Sequence, residues 1–149
     1  MKQLITLSGA TSVGKTSTLN KLVEAVKDKY NVIDVDYSSE KTKDKIVLLK
    51  NIGEKHITIG INTAGDNEEC AKKSLELIEK CDIVVCATKA SIRTEGGSIS
   101  IIQDYYKKHI SDICLIPLFK LLQQGGENEY DKNDDLMVKI LLNQLDMLI

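Results

Sequence analysis

The chain has 149 residues, a formal net charge of −2 and an apolar fraction of 42%. This length suits one domain of ordinary size, and the balance of apolar and charged residues is that of a globular protein. The net charge gives no general affinity for polyanions, and one Phe, five Tyr and no Trp leave few rings for base stacking. We therefore expect neither a nucleic-acid partner nor a membrane partner.

The first half of the chain predicts strands that alternate with a helix. Residues 3–8 form a short apolar run typical of a buried strand, and residues 15–29 carry their apolar side chains on one helical stripe. Residues 31–39 predict a second strand. The apolar runs 45–51 and 56–62 predict a β-hairpin, because only a short polar segment separates them.

The second half continues the alternation. Its pattern predicts a helix, a buried strand, a helix, a strand, a polar loop and a closing amphipathic helix, over residues 67–80, 82–88, 98–109, 112–122, 123–134 and 135–149. Pro117 is expected to end the regular pairing of the last strand. Strands that alternate with helices predict an α/β fold, a three-layer sandwich with a mostly parallel sheet of five to six strands. No linker divides the chain, so we expect one domain over residues 1–149.

Residues 9–16, GATSVGKT, satisfy the pattern G-x-x-x-x-G-K-[ST]. Gly9 and Gly14 let the backbone adopt conformations that a Cβ would block, so that successive N–H groups point into one concavity. The concavity lies at a helix N-terminus, where unpaired donors and the helix dipole favour an anion. Lys15 supplies a point charge for the β- and γ-phosphates, and the Thr16 hydroxyl is suited to Mg²⁺.

This motif, between a predicted strand and a predicted helix, resembles the Walker A loop of P-loop NTPases. The resemblance implies a nucleoside triphosphate and Mg²⁺ as ligands, and phosphoryl transfer or hydrolysis as the activity. It implies a nucleotide-binding set consisting of Gly9, Thr11, Ser12, Val13, Gly14, Lys15, Thr16 and Ser17, with Thr16 as the metal ligand. The alternative is a glycine-rich turn followed by a helix with an incidental lysine.

An acid ends the strand that follows the first helix. In kinases of this superfamily a carboxylate in that place commonly positions the phosphate acceptor, and Asp36 matches it by position. Asp34 competes for the role, and a solvated acid at a strand end is the alternative. The resemblance thus implies a kinase-like protein that uses ATP as phosphoryl donor and a small molecule or nucleotide as acceptor.

Residues 60–69, GINTAGDNEE, resemble the switch segment of Ras-like GTPases, which contains DTAG after a hairpin. Asn62 replaces the leading Asp, and the chain has no N-K-x-D guanine signature, so we expect ATP rather than GTP. An NTP hydrolase or nucleotide-dependent switch is an alternative function. A sensor that binds without turnover is another, because the apolar strands end at Asn62 and Ala87 rather than at an acid. Asp66 is suited either to a magnesium or attacking-water role or to a capping box with Glu69.

Arg93 is the single arginine among twenty lysines and arginines. Its rigid fork suits phosphate, so its place after a strand tip predicts a lid or arginine-finger role. The predicted catalytic residues are thus Lys15, Asp36, Asp66 and Arg93. The segment from Gly96 to Ser98 predicts a second anion site; the alternative is an exposed arginine with Ser98 as an ordinary N-cap.

The four cysteines form no CxxC pair, and three of them lie in or beside apolar runs. This pattern predicts reduced, buried thiols rather than a disulfide or a metal site. The chain shows neither a long apolar stretch near its start nor an 18-residue apolar span. We therefore expect a cytoplasmic protein.

Overall fold

A computed structural model describes residues 1–9, 14–38, 44–89, 98–120 and 127–149, with only the backbone for 127–131. The predicted site residues Thr11, Ser12, Val13 and Arg93 lie outside the described residues, as do Gly96 and Gly97.

Six strands and four helices alternate along the described part of the chain. In chain order they are β1 (Lys2–Gly9), α1 (Lys15–Tyr30), β2 (Asp34–Tyr37), β3 (Ile46–Ile52), β4 (Ile57–Asn62), α2 (Glu68–Lys80), β5 (Ile83–Lys89), α3 (Ser98–Lys108), β6 (Ile113–Phe119) and α4 (Glu127–Leu148). The strands form one sheet in the order β2-β3-β4-β5-β1-β6. Strand β3 is antiparallel to both of its neighbours, and the other neighbouring pairs are parallel. The predicted hairpin and the mostly parallel α/β sheet are confirmed.

The helices cover both faces of the sheet, because successive side chains of a strand point to opposite faces. In β1, Leu4 packs into the core formed with α2 and α3, whereas Ile5 and Leu7 pack into the core formed with α1 and α4. A strand buried on both faces is apolar at consecutive positions, which explains the apolar run in β1. The arrangement is the expected three-layer sandwich, and it directs the carboxyl ends of β1, β4 and β5 to one edge of the sheet.

Strand β2 is shorter than the predicted 31–39, and two predictions about the second half of the chain are wrong. Helix α4 begins at Glu127, inside the predicted polar loop 123–134. Apolar periodicity begins only near Leu136, so a polar helical start looks like a loop in the sequence. Pro117 does not end the last strand but lies inside β6, opposite Thr6. Strand β6 is an edge strand that pairs with β1 alone, and an edge strand tolerates a residue without an N–H group.

All four cysteines are free; Cys81 and Cys86 are buried, and Cys70 and Cys114 are half-buried. Burial raises the pKa of the Cys81 thiol to about 11 and that of the Cys86 thiol to about 12. Within the described ranges, no helix combines the length and the apolar character needed to cross a membrane.

Candidate functional site

Gly14 forms the N-cap of α1 in the left-handed conformation, with φ 86° and ψ 26°. Glycine adopts this conformation without the steric penalty of a Cβ. A Cβ at this position would also lie 2.8 Å from Lys120 Nζ and 3.0 Å from Asp134 Oδ1. Both the backbone and the available space therefore select glycine. Since glycine supplies no capping side chain, Gly14 leaves the first N–H groups of α1 to other acceptors.

Lys15 folds back over this turn and is only 6% exposed. Its Nζ donates to the carbonyl oxygens of Gly9 at 2.8 Å and Thr88 at 2.9 Å, and it lies 3.8 Å from Asp66 Oδ1. Burial lowers the pKa of Lys15 below its usual value; the Asp66 carboxylate opposes this shift, and the charge of Lys89 adds to it. The ammonium group is thus desolvated and held mainly by neutral oxygens, a setting that favours the approach of an anion.

Thr16 connects the first turn of α1 to two other segments. Its Oγ1 donates to the Thr63 carbonyl oxygen at 3.0 Å and lies 3.5 Å from Asp44 Oδ1. The Thr63 hydroxyl accepts from the backbone N–H of Lys45 at 2.9 Å, which fixes the end of β4 to the start of β3. Hydroxyl and carboxylate oxygens are ligands that Mg²⁺ accepts alongside phosphate oxygens. The oxygens at this position therefore fit Mg²⁺, although no cluster of three or more His, Cys, Asp or Glu suited to a metal occurs in the part of the chain that the structure describes.

A cavity of about 500 Å³ opens beside this turn and is lined by Gly14, Lys15, Thr16, Ser17, Asn20, Lys21 and Asp66. Its volume lies within the usual range for small-molecule sites. The structure therefore brings together five of the predicted site residues: Gly14, Lys15, Thr16, Ser17 and Asp66. Gly14 is the N-cap of α1, the next three residues form the start of this helix, and Asp66 reaches the cavity from the segment between β4 and α2.

The predicted capping box at Asp66 is wrong. The N-cap of α2 is Asn67, whose Oδ1 accepts from the backbone N–H of Cys70 at 2.9 Å. Asparagine is among the best N-cap residues, so it takes the role that the pattern D-x-x-E suggested for its neighbour. Asp66 is left with a carboxylate that is 64% exposed and faces Lys15.

Gly65 determines where Asp66 lies. A Cβ on Gly65 would be 2.1 Å from the carbonyl oxygen of Ala87, so only glycine allows this segment to lie directly on the backbone of β5. The Gly65 carbonyl accepts from Ser98 Oγ at 2.5 Å, and Ser98 Oγ accepts from the backbone N–H of Lys89 at 2.7 Å. The Ser98 hydroxyl thus joins three segments and is engaged in holding the fold.

Asn62 ends β4 at the position where an acid was missing. It is 1% exposed, and its Nδ2 donates to Ser74 Oγ at 2.9 Å and to the Cys70 carbonyl oxygen at 3.1 Å. Its Oδ1 accepts from the backbone N–H of Ala64 at 3.1 Å. The Asn62 amide therefore stabilises the junction between β4 and α2 and does not face the cavity.

The structure does not bring Asp36 into this cavity. Its carboxylate pairs with Lys50 Nζ at 2.5 Å, is 60% exposed and lines a separate cavity of about 300 Å³ beside α2. Strand β2 lies four strand positions from β1, which corresponds to about 19 Å across a sheet. The chain order of the strands suggested that Asp36 lies close to Lys15, but the hairpin places β2 at the edge of the sheet far from β1.

Asp44 was not predicted as a site residue. It belongs to a charged segment of the sequence, and its carboxylate lies 3.5 Å from Thr16 Oγ1. No local pattern identifies it.

Comparison of the chain with family models, curated proteins and solved structures gave no match.

Proposed function

We propose that this chain is a member of the P-loop NTPase superfamily that binds a magnesium nucleoside triphosphate at the N-terminus of α1. The observation that supports this most strongly is the buried, carbonyl-held Lys15 beside a left-handed Gly14, at the mouth of a cavity of about 500 Å³. The first turn, Lys-Thr-Ser-Thr, contains no acid that would neutralise the positive end of the helix. ATP is the preferred nucleotide, because the chain lacks a guanine signature.

The proposed reaction is kinase-like transfer of the γ-phosphoryl group to a small-molecule or nucleotide acceptor. The main-chain N–H groups of the first turn and Lys15 bind phosphate oxygens and stabilise the charge that develops during transfer. Thr16, with Asp44 beside it, holds Mg²⁺, which when bound neutralises phosphate charge. Among the residues that the structure describes, Asp66 is the acid that lines the same cavity as Lys15, and its proposed role is to orient the attacking group. For Arg93, which lies outside the described residues, the proposed role is that of a lid residue or arginine finger.

A nucleotide-dependent hydrolase or switch is the second candidate. It is favoured by the contacts of residues 62–66, which bring the Thr63 carbonyl to Thr16 and the Asp66 carboxylate to Lys15. A γ-phosphate would compete with the Thr63 carbonyl for Thr16 and with the Asp66 carboxylate for Lys15. Hydrogen exchange with ATP, ADP and GTP tests this candidate: a switch changes protection over residues 62–70 between the triphosphate and diphosphate states, whereas protection that does not depend on the γ-phosphate argues against it.

Equilibrium binding tests the proposed ligand. We expect Lys15→Ala to abolish measurable calorimetric binding of Mg-ATP, because it removes the cation at the centre of the site. Lys29→Ala, on the last turn of the same helix, is the matched control and should bind as the unmodified protein does. Equal affinity of Lys15→Ala and the unmodified protein would refute the assignment.

Turnover assays then separate the alternatives. Release of phosphate without an acceptor indicates a hydrolase, whereas formation of ADP together with a phosphorylated member of an acceptor panel indicates a kinase. Binding without either activity over a long incubation indicates a nucleotide sensor. We also propose a cytoplasmic location, which the four free cysteines support.

A further inference from the structure

A buried ion pair lies behind the Gly14 turn. Lys120 directly follows β6, Asp134 belongs to α4, and each residue is 5% exposed. Lys120 Nζ bonds to Asp134 Oδ1. Neither residue lines the cavity beside Lys15, so the pair does not belong to the surface that would touch a ligand.

The pair contacts both chain segments that flank the GATSVGKT motif. Lys120 Nζ donates to Thr18 Oγ1 at 2.9 Å and to the Gly14 carbonyl oxygen at 3.3 Å. Asp134 accepts from Ser17 Oγ at 2.9 Å and from Thr18 Oγ1 at 3.2 Å. On the other side of the motif, the backbone N–H of Lys120 donates to the Ser8 carbonyl oxygen at 2.8 Å.

Stability is a weak reason for such a pair, because replacing a buried ion pair by apolar residues of similar size is often neutral or stabilising. The pair is also not the only polar contact that joins α4 to the rest of the fold. Two further pairs, Lys21 with Asp135 and Lys29 with Asp146, join the same two helices nearer the surface. Charged groups form directional hydrogen bonds, which apolar contacts lack, and each of these bonds fixes the position of its partner.

We propose that Lys120 and Asp134 are positioning residues for phosphate binding. They hold the Gly14 turn and the first turn of α1 so that the N–H groups and Lys15 face the cavity. They act through the Gly14 carbonyl and the hydroxyls of Ser17 and Thr18, and the inference rests on the nucleotide-binding function proposed above.

The test is the double variant Lys120→Met/Asp134→Leu, which replaces the pair by apolar side chains of similar length. The matched control is Lys29→Met/Asp146→Leu, which removes a pair between the same helices away from the cavity. Calorimetry measures the Kd of Mg-ATP and of inorganic tripolyphosphate with Mg²⁺, and urea unfolding measures stability. We expect the double variant to keep or raise its urea midpoint and to bind both ligands at least about tenfold more weakly, a change of about 1.4 kcal/mol in binding free energy. The control should bind as the unmodified protein does.

Unchanged binding by the double variant overturns the inference, and so does a loss confined to Mg-ATP with tripolyphosphate unaffected. If the unmodified protein binds neither ligand, the proposed function fails together with the inference. Should the double variant not fold, Thr18→Val replaces it, because this isosteric change removes a hydroxyl that contacts both charged groups. We expect it to fold and to bind tripolyphosphate several-fold more weakly; unchanged binding would again overturn the inference.

Discussion

The substitution Gly65→Ala tests how the segment that carries Asp66 is placed. A Cβ on Gly65 would lie 2.1 Å from the carbonyl oxygen and 2.3 Å from the carbonyl carbon of Ala87. Both atoms belong to the backbone of β5, an inner strand paired on both sides. No change of side-chain rotamer relieves this overlap. The main chain of one segment must therefore move by roughly 1 Å or more to restore the van der Waals distance between the added Cβ and the Ala87 carbonyl group.

Overpacking in a core usually destabilises by about 1–3 kcal/mol, and a clash between main-chain atoms lies at the upper end of that range. For a chain of this size, a loss of about 3 kcal/mol lowers the melting temperature by about 6–12 °C. Thermal unfolding followed by circular dichroism measures this directly. Because the movement also carries Asp66 away from Lys15, we expect altered Mg-ATP affinity in the variant at temperatures where it remains folded.

Gly60→Ala is the comparison variant. Its Cβ would lie 2.8 Å from Cys81 Sγ and 3.4 Å from Leu77 Cδ1, both of which are side-chain atoms that can shift. We therefore expect a smaller loss than at Gly65. A melting temperature of Gly65→Ala within about 1 °C of the unmodified protein would show that the segment does not lie on β5 as described.

Three further predictions follow from titration and capping. Burial raises the pKa of Cys86 to about 12, so a thiol reagent at pH 8 should label the half-buried Cys70 and Cys114 first and Cys86 only after unfolding. Mass spectrometry of the labelled peptides checks this, and early labelling of Cys86 would contradict it. Burial also lowers the pKa of Lys15, so the ligand-free protein should gain stability from this group as the pH rises toward 10.5, whereas its affinity for Mg-ATP should fall as the ammonium group loses its proton. Asp66→Asn should move both changes to lower pH, because Asp66 raises the pKa of Lys15. Stability and affinity that rise or fall together would refute this reasoning. Asn67→Ala should destabilise the protein by about 1 kcal/mol in urea unfolding through loss of the N-cap, whereas Asp66→Ala should lack that effect, and equal losses would argue against Asn67 as the cap.

The fold was largely predictable because its signals are local. Consecutive apolar residues in β1 and β5 indicate strands buried on both faces, and the spacing around IGEK indicates the hairpin. The start of α4 was missed because its first turns are polar. Pro117 was misjudged because the sequence does not show that β6 lies at the edge of the sheet, where a missing N–H group is tolerated.

The candidate site was predictable at the consecutive residues of the GATSVGKT motif and, through the resemblance of residues 60–69 to a switch segment, at Asp66. The spacing of Gly14 and Lys15 carries its own physical meaning, and the structure places both at the cavity. Asp36 and Asp44 show the limit of sequence reasoning: the acid at a strand end lies far from Lys15, and the acid in a charged loop lies beside Thr16. Strand order decides the position of Asp36, and a contact between segments distant in the chain defines that of Asp44, so no local pattern of the sequence indicates either position.

The electrostatics of Lys15 suggest which part of the site responds to a ligand. Its two carbonyl partners, from Gly9 and Thr88, are neutral and can remain in place when a phosphate binds the ammonium group. Asp66 carries the same sign of charge as the phosphate. Its carboxylate lies 3.8 Å from Lys15 Nζ and lines the same cavity. If a phosphate binds there, repulsion favours either movement of Asp66 or a bound Mg²⁺ that would offset the charge of the anions. Movement of residues 62–66 with the γ-phosphate is what the proposed switch requires, whereas an Asp66 that stays in place fits the proposed kinase, and hydrogen exchange over residues 62–70 distinguishes the two.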